Sequence, residues 1–296
     1  EMRGGRGRGI FGSGATPSAT NVIDMIEIAT TGNATDFGDD IHARQEGYAA
    51  FASATRGCFG GGQTPTVLSS ITYVTIPSQG GANDFGDLKT AIQRNVGLSD
   101  NTRGISAGGG DPVQTAEITF VTISTTGNSS GFGNLTQQRA GSGACASPTR
   151  GLVAGGYETP GGNHNIIDFI TIATGGNAED FGDLTDDPNS LAGCSNSTRG
   201  LFGGGQNPSN VNVIAYVTIA TKGNAIDFGN LHDEIDYLGA CASATRGIFA
   251  GGQSPTKLNV IEYVTIATTG DAIDFGDLTV ARRFAQGCSD VHGGLG

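Results

Sequence analysis

Thr245-Arg-Gly-Ile-Phe-Ala-Gly-Gly252, with Asn259-Val-Ile-Glu-Tyr-Val-Thr-Ile266 and Ala272-Ile-Asp-Phe-Gly-Asp-Leu278 behind it, is the stretch whose reading decides the fold. It contains an apolar run closed by a glycine pair, a β-branched and aromatic run, a Gly270-Asp271 turn and a third run. Arg283-Phe-Ala-Gln-Gly-Cys288 adds another, so the unit reads as four strands separated by turns. The phrase recurs at Arg56, Arg103, Arg150, Arg199 and Arg246, with a degenerate copy at Arg8. The steps are 48, 47, 47, 49 and 47 residues, and His292 stands 46 beyond the last. A period of this length means a repeat architecture.

Within the unit, Ile261 and Tyr263 share one face, while Val264 and Ile266 follow after a change of phase. The same pattern appears at Ile214, Tyr216, Val217 and Ile219, and at Ile167, Phe169, Ile170 and Ile172. A sheet with one wet face would alternate cleanly, so these strands are expected to be covered on both faces. Small sheets packed radially meet that requirement and leave only short, protected edges. Phe37, Phe85, Phe132, Phe181, Phe228 and Phe275 then read as six copies of one inter-blade plug.

These features predict a single all-β domain over 1–296, a six-bladed β-propeller of four-stranded blades. The expected units are 282–289 plus 1–40, 41–89, 90–136, 137–185, 186–232 and 233–281. The chain opens at a second strand, Arg8 to Gly14, and Arg283 to Ser289 at the other end is the missing first strand. Pairing of the two would close the ring and hide its edges. An open solenoid would need polar capping repeats, and neither terminal unit is notably polar. Val291-His-Gly-Gly-Leu-Gly296 repeats the start of a second strand, so it is expected to be displaced outward, disordered or continued into further sequence.

The glycine pairs Gly60-Gly61, Gly108-Gly109, Gly155-Gly156, Gly203-Gly204 and Gly251-Gly252, with Tyr73, Tyr216 and Tyr263 behind them, resemble the kelch repeat. The fourth-strand tryptophan of that repeat is missing, and the Phe of Asp-Phe-Gly stands in its place. The Thr-Arg-Gly, Thr-Ile-Ala-Thr, Asp-Phe-Gly-Asp-Leu variety is also similar to kelch-like repeats in structural proteins of tailed phages, marine and cyanobacterial ones in particular. The similarity covers almost the whole chain. It implies a virion location and a tail-fibre, baseplate or capsid-decoration component. Its partners would be other virion proteins, further copies of itself, or a host-surface glycan or protein. The alternative is a cytoplasmic kelch-like adaptor.

A net charge of -12, from 28 acidic and 16 basic residues, argues against nucleic-acid binding. The basic cluster Arg3, Arg6 and Arg8 reads as a flexible terminus. No run of about 18 apolar residues marks a membrane span or leader. The five cysteines are an odd count for a disulfide framework. Cys145, Cys194, Cys241 and Cys288 share a repeat position with Phe51 and Leu98, which reads as packing rather than metal binding.

No catalytic constellation is legible. There is no nucleophile elbow, Walker loop or dinucleotide fingerprint, and the Asp-Phe-Gly triplets lack the other kinase signatures. His42, His164, His232 and His292 form no metal-ligand spacing, and no cofactor is implied. The Asp-Phe-Gly-Asp pairs, such as Asp36/Asp39 and Asp84/Asp87, lack the dense oxygen run of a calcium loop, and Asx-type turn bonding is expected instead.

The turns between first and second strands, and between third and fourth, are nearly uniform and share one face. The second-to-third and fourth-to-first loops differ and share the other. Variable loops on a fixed scaffold are where recognition is tuned. The candidate binding residues there are Gln63, Thr64, Asp111, Tyr157, Glu158, His164, Asp186, Asp187, Asn207, His232, Asp233, Glu234 and Lys257. Arg8, Arg56, Arg103, Arg150, Arg199 and Arg246 allow two readings. One is a positive ring for an anion; the other pairs each guanidinium with its own blade's backbone or a neighbouring Asp.

Overall fold

A computed structural model of the chain describes residues 7–110 and 112–295. Arg3, Arg6 and Asp111 lie outside the described residues. The rest form a six-bladed β-propeller of four-stranded antiparallel sheets, with two short hairpins added in second-to-third loops. Blade I consists of Gln286–Ser289, Arg8–Ala15, Ala19–Glu27 and Thr35–Arg44. Its two chain ends pair from Gly9↔Ser289 to Gly12↔Gln286, which closes the ring. The expected boundary at 40/41 falls inside its outer strand, which continues to Arg44 because Arg44 pairs with Thr20.

Gln286–Ser289, Ala49–Ala52, Val96–Ser99, Gly143–Ala146, Ala192–Ser195 and Gly239–Ala242 are the innermost strands of blades I to VI. They pack against one another around the axis. The crowding there explains an alternation in the sequence. Ala50, Ala144 and Ala240 alternate with Gly97, Gly193 and Gly287, and a Cβ added at Gly97 would lie 2.3 Å from the Ala50 carbonyl oxygen. Two positions on, Ser99 and Ser195 alternate with Ala52 and Ala146. The Ser99 hydroxyl donates to Ala52 O at 2.8 Å and accepts from Ala52 N at 3.0 Å, stitching blade II to blade III. Ser195 joins blade IV to blade V in the same way.

The third residue of each innermost strand is a knob, and the glycine after each repeat arginine is its hole. A Cβ at Gly104 would lie 2.2 Å from Phe51, one at Gly200 2.6 Å from the Cys145 sulfur, and one at Gly57 3.1 Å from that of Cys288. Cys145, Cys194, Cys241 and Cys288 are therefore packing groups, as their exchange with Phe51 and Leu98 implies. All five cysteines are free and buried. Burial pushes the Cys194 and Cys288 thiols up to about 12, which leaves them protonated and unreactive.

Phe37, Phe85, Phe132, Phe181, Phe228 and Phe275 are at most 8% exposed and fill the gaps between blades. Burying each contributes roughly 1.5–3 kcal/mol. In five blades the ring meets a third-strand aromatic edge-on, as in Tyr216–Phe228 at 5.7 Å between centroids. The acidic residues around these rings do not form Asx turns. Asp36, Asp39, Asp84 and Asp87 are exposed, with Asp87 Oδ1 accepting from Ser69 Oγ at 2.9 Å, and the links to the next blade run through the motif's backbone. Phe85 O and Asp87 O accept from Gly127 N and Ser129 N of the next blade, at 2.7 and 2.8 Å. A main-chain strap tolerates Asn in place of Asp, which accounts for Asn134 and Asn230.

The C-terminal segment corrects its expectation. It turns inward instead of outward, and His292 bonds to Ala52 O at 2.8 Å on the innermost strand of blade II. Its glycines allow the approach, because a Cβ at Gly293 or Gly294 would collide with the backbone of Asn196, Ala146 or Ser99.

Candidate functional site

The repeat arginines belong to the uniform face and bridge blades. Each donates to a backbone carbonyl near the end of the next blade's third strand, in a closed cycle: Arg8 to Ile76, Arg56 to Ile123, Arg103 to Ile172, Arg150 to Ile219, Arg199 to Ile266 and Arg246 to Ile28. The donor distances are 2.7–3.1 Å. Five guanidinium groups also lie 4.5–5.0 Å from the centroid of their own blade's third-strand aromatic. In blade I that aromatic is Met25, and Arg8 pairs with Glu27 at 3.3 Å instead. The expectation that each would bond its own blade's backbone or an Asp is thus corrected: the fork reaches across to the neighbour, whose terminal carbonyls have no strand partner.

The opposite face carries the variable loops. Second-to-third loops pair their backbone with fourth-to-first loops at Gln45↔Gln63, Gln93↔Gly110, Ala140↔Tyr157, Asn189↔Gln206 and Asp236↔Gln253. Among the expected residues, Tyr157, Glu158 and His164 come together at one hairpin. Tyr157 OH accepts from Arg94 Nη1, Glu158 accepts from Gln138, and the His164 imidazole lies 3.8 Å from Glu158. Asn207 Nδ2 bridges Asp186, at 3.0 Å, and Asp187. Gln63 and Thr64 serve their own turn: Gln63 Nε2 donates to Pro65 O at 3.2 Å, and Thr64 N to Thr66 O at 2.8 Å. His232, Asp233 and Glu234 are exposed in one loop, where His232 N donates to Glu262. Lys257 is half-buried in a short hairpin with Gln253.

At the centre of this face, sequence reasoning missed a rim around the axial channel. Gly47, Arg94, Gly141, Ser190, Tyr237 and Phe284 occupy the same position in successive blades and all adopt left-handed backbone, with φ of 70°, 57°, 67°, 59°, 55° and 62°. The conformation is imposed by a run of main-chain bonds along the rim. Arg94 N donates to Gly47 O, Gly141 N to Arg94 O, Ser190 N to Gly141 O, Tyr237 N to Ser190 O and Phe284 N to Tyr237 O, at 2.6–3.0 Å. Glycine meets this geometry without strain, as Gly47 and Gly141 demonstrate. A side chain there costs roughly 1 kcal/mol or more, yet four of the six positions carry one.

Those side chains are organised. Arg94 Nη2 pairs with Glu46 Oε2 at 2.6 Å, and its guanidinium lies 5.9 Å from the Tyr157 ring. Although burial works against it, the Glu46 carboxylate and Tyr157 hold Arg94 firmly charged. Elsewhere on the rim, Tyr237 and Phe284 stack at 4.4 Å with a 52° tilt. Arg283 lies 5.4 and 5.0 Å from their centroids and donates to Gln253 Oε1 at 3.1 Å. Nearby Asp236 is 4% exposed, and burial raises its carboxyl to about 6. The rim surrounds a cavity of about 60 Å³. A second cavity of about 50 Å³ lies further along the axis, past the Ala50–Gly97–Ala144–Gly193–Ala240–Gly287 waist. At roughly 10–15 Å³ per water, the bore holds a handful of waters. A larger ligand would therefore rest on the rim rather than enter.

Three buried ion pairs brace the same end of the disc. Arg139–Asp168, Arg282–Asp24 and Arg44–Asp40 are separated by 3.0, 3.2 and 2.8 Å, with all six side chains fully buried. In two of them the carboxylate also accepts from the preceding blade, at Thr136 and Thr279. An arginine at a position filled by Ile92, Pro188 and Ile235 in other repeats was a readable signal. Among the described residues no group of three or more His, Cys, Asp or Glu is placed to hold a metal ion. No helix among them is long and apolar enough to cross a membrane. No protein-family model matches the chain, and no curated protein matches it.

Proposed function

We propose that this propeller is a non-catalytic recognition module that meets its partner on the variable-loop face, centred on the axial rim. The observation carrying this reading is the cost accepted at Arg94, Ser190, Tyr237 and Phe284. Bulky or polar residues sit at left-handed positions where glycine serves equally well in two of six blades. Four strained side chains gathered at one concave, loop-lined place are a mark of selection. Among the described residues the uniform face has a single such position, Gln79, whose amide donates to Asp36 O at 2.7 Å, and its repeat arginines are engaged in holding blades together.

The setting we propose is a virion, as a structural or adhesion component contacting a neighbouring virion protein or a host-surface glycan or protein. The support is the likeness of the repeats to those of tailed-phage structural proteins. A photo-cross-linking residue at Tyr237, compared with one at the exposed uniform-face residue Thr221, tests both parts in the native source. Cross-links from Tyr237 to another particle protein or a host-surface molecule are expected. Adducts confined to Thr221 would overturn the choice of face, and adducts to a single cytosolic protein would move the setting to a cellular adaptor.

A further inference from the structure

The end of the channel opposite the rim is closed by the chain itself. Asp290 anchors the segment, its Oδ1 accepting from Gly7 N at 3.1 Å and Arg8 N at 2.8 Å. A short 3-10 turn, Gly293–Leu295, then lies across the mouth. A Cβ at Gly293 would lie 2.4 Å from Asn196 O and 2.5 Å from Ala146 O, and one at Gly294 1.8 Å from Ser99 O. The segment is thus fitted to the innermost strands of three blades. His292 fixes its position: Nε2 donates to Ala52 O at 2.8 Å and lies 3.3 Å from Ser99 Oγ, while Nδ1 accepts from Gly294 N at 3.1 Å. These bonds require the neutral ring with its proton on Nε2, and they leave no acceptor for a second proton on Nδ1.

We propose that residues 290–295 are a pH-operated plug, seated by neutral His292 and released when Nδ1 takes up a proton. Protonation turns the Gly294 N–H···Nδ1 bond into two opposed donors. It also places a charge against the second axial cavity, which His292 lines together with Cys145, Cys194, Cys241 and Cys288. Burial disfavours the charged ring, while the Ala52 carbonyl and Asp100 favour it. Asp100 is committed elsewhere, its Oδ1 accepting from Thr102 N at 2.7 Å and Arg103 N at 2.6 Å. Asp290 on the segment itself is held by Gly7 and Arg8. The flanking thiols stay neutral, each raised mainly by burial. Because the seated ring is harder to protonate than a free one, the seat is at full strength above the ordinary value of about 6.5. Below that pH it weakens by up to about tenfold per unit, down to the seated ring's own value. Release opens the channel mouth to water and removes the His292 bond from Ala52 O, which keeps its bond from the Ser99 hydroxyl.

Amide exchange of Gly293, Gly294 and Leu295, corrected for intrinsic rates and followed with the His292 ring signals from pH 7.5 to 5.5, tests the plug. Protection is expected to fall by up to about fivefold between pH 6.5 and 5.5, while the seated ring's own signals stay those of the neutral form until its lower value is reached. In His292→Gln, whose amide donates without titrating, it should stay level. Gly294→Ala should leave the segment unprotected at every pH with the ring still folded. Protection that is constant with pH in the wild type, or that falls equally in His292→Gln, would overturn the proposal.

Discussion

Replacing Gly104 with alanine tests the knob-and-hole rule that joins each blade to the next. Its Cβ would lie 2.2 and 2.3 Å from two Phe51 ring carbons, against the roughly 3.5–4.0 Å of an ordinary carbon contact. One of the two must therefore move by more than an ångström in a site where Phe51 is 2% exposed. Overpacking of this kind costs about 1–3 kcal/mol. Phe51→Ala alone should cost about 3–5 kcal/mol for the cavity it leaves. In the double variant the new methyl enters space the ring has vacated, so the overpacking disappears and part of the cavity is filled. The pair should then cost no more than Phe51→Ala by itself, a coupling of about 1–3 kcal/mol. Equilibrium urea unfolding of all four proteins at a common m value measures the cycle. Gly57→Ala is the internal control: its Cβ would lie 3.1 Å from the Cys288 sulfur, the mildest of these contacts, and it should be close to neutral. Additivity of Phe51→Ala and Gly104→Ala within about 0.5 kcal/mol would refute the reasoning.

Asp236→Asn should stabilise the protein at neutral pH. Burial raises the folded carboxyl to about 6, so the native state holds the proton more tightly and the wild type loses stability as pH rises from about 4 to about 6. The melting-temperature advantage of the variant should grow across that window and level off above it; an advantage independent of pH would contradict the assignment. Asp168→Ala leaves the Arg139 guanidinium buried without its counter-ion and should cost about 3–5 kcal/mol in denaturant unfolding, whereas exposed Asp36→Ala should cost under about 0.5 kcal/mol. Arg199→Lys retains the charge but loses the planar contact with Tyr216, at 4.8 Å, and one of two carbonyl bonds. It should cost about 1 kcal/mol, and a thermal melt matching the wild type would show that the staple carries no weight. Tyr237→Gly removes the rim aromatic while relieving left-handed strain. The strain relief and the lost stacking should nearly cancel, leaving stability within about 1 kcal/mol of wild type while partner cross-linking from a probe at Arg94 is lost; full retention of cross-linking would place recognition elsewhere.

The scaffold was legible because it is written six times. The phase change at Tyr263-Val264 betrays a strand buried on both faces, and the second-strand start at Arg8 exposes the missing partner that Gln286–Ser289 supplies. The plugs at Phe85 and its equivalents follow from their six-fold recurrence, and the packing role of Cys145 from the Phe51 and Leu98 that replace it in other copies. The site was legible only as a face. Tyr157 and Glu158 lie where loop variation pointed, but Arg94, Ser190, Tyr237 and Phe284 do not stand out in the linear chain. Their meaning depends on a backbone conformation created by bonds between blades, which local sequence does not specify. The arginines teach the same lesson in reverse, since five have partners 67–69 residues further on, and Arg246 one 218 residues back, always in the next blade.

By itself, then, the sequence determined the period, the strand order and the closure, because these depend on local hydrophobic patterning repeated until only a ring satisfies it. Only the tertiary structure decided which residues crowd the axis, which arginine reaches which carbonyl, and that His292 closes one end of the channel. Those outcomes arise where six blades converge, and convergence is a property of the ring rather than of any one repeat.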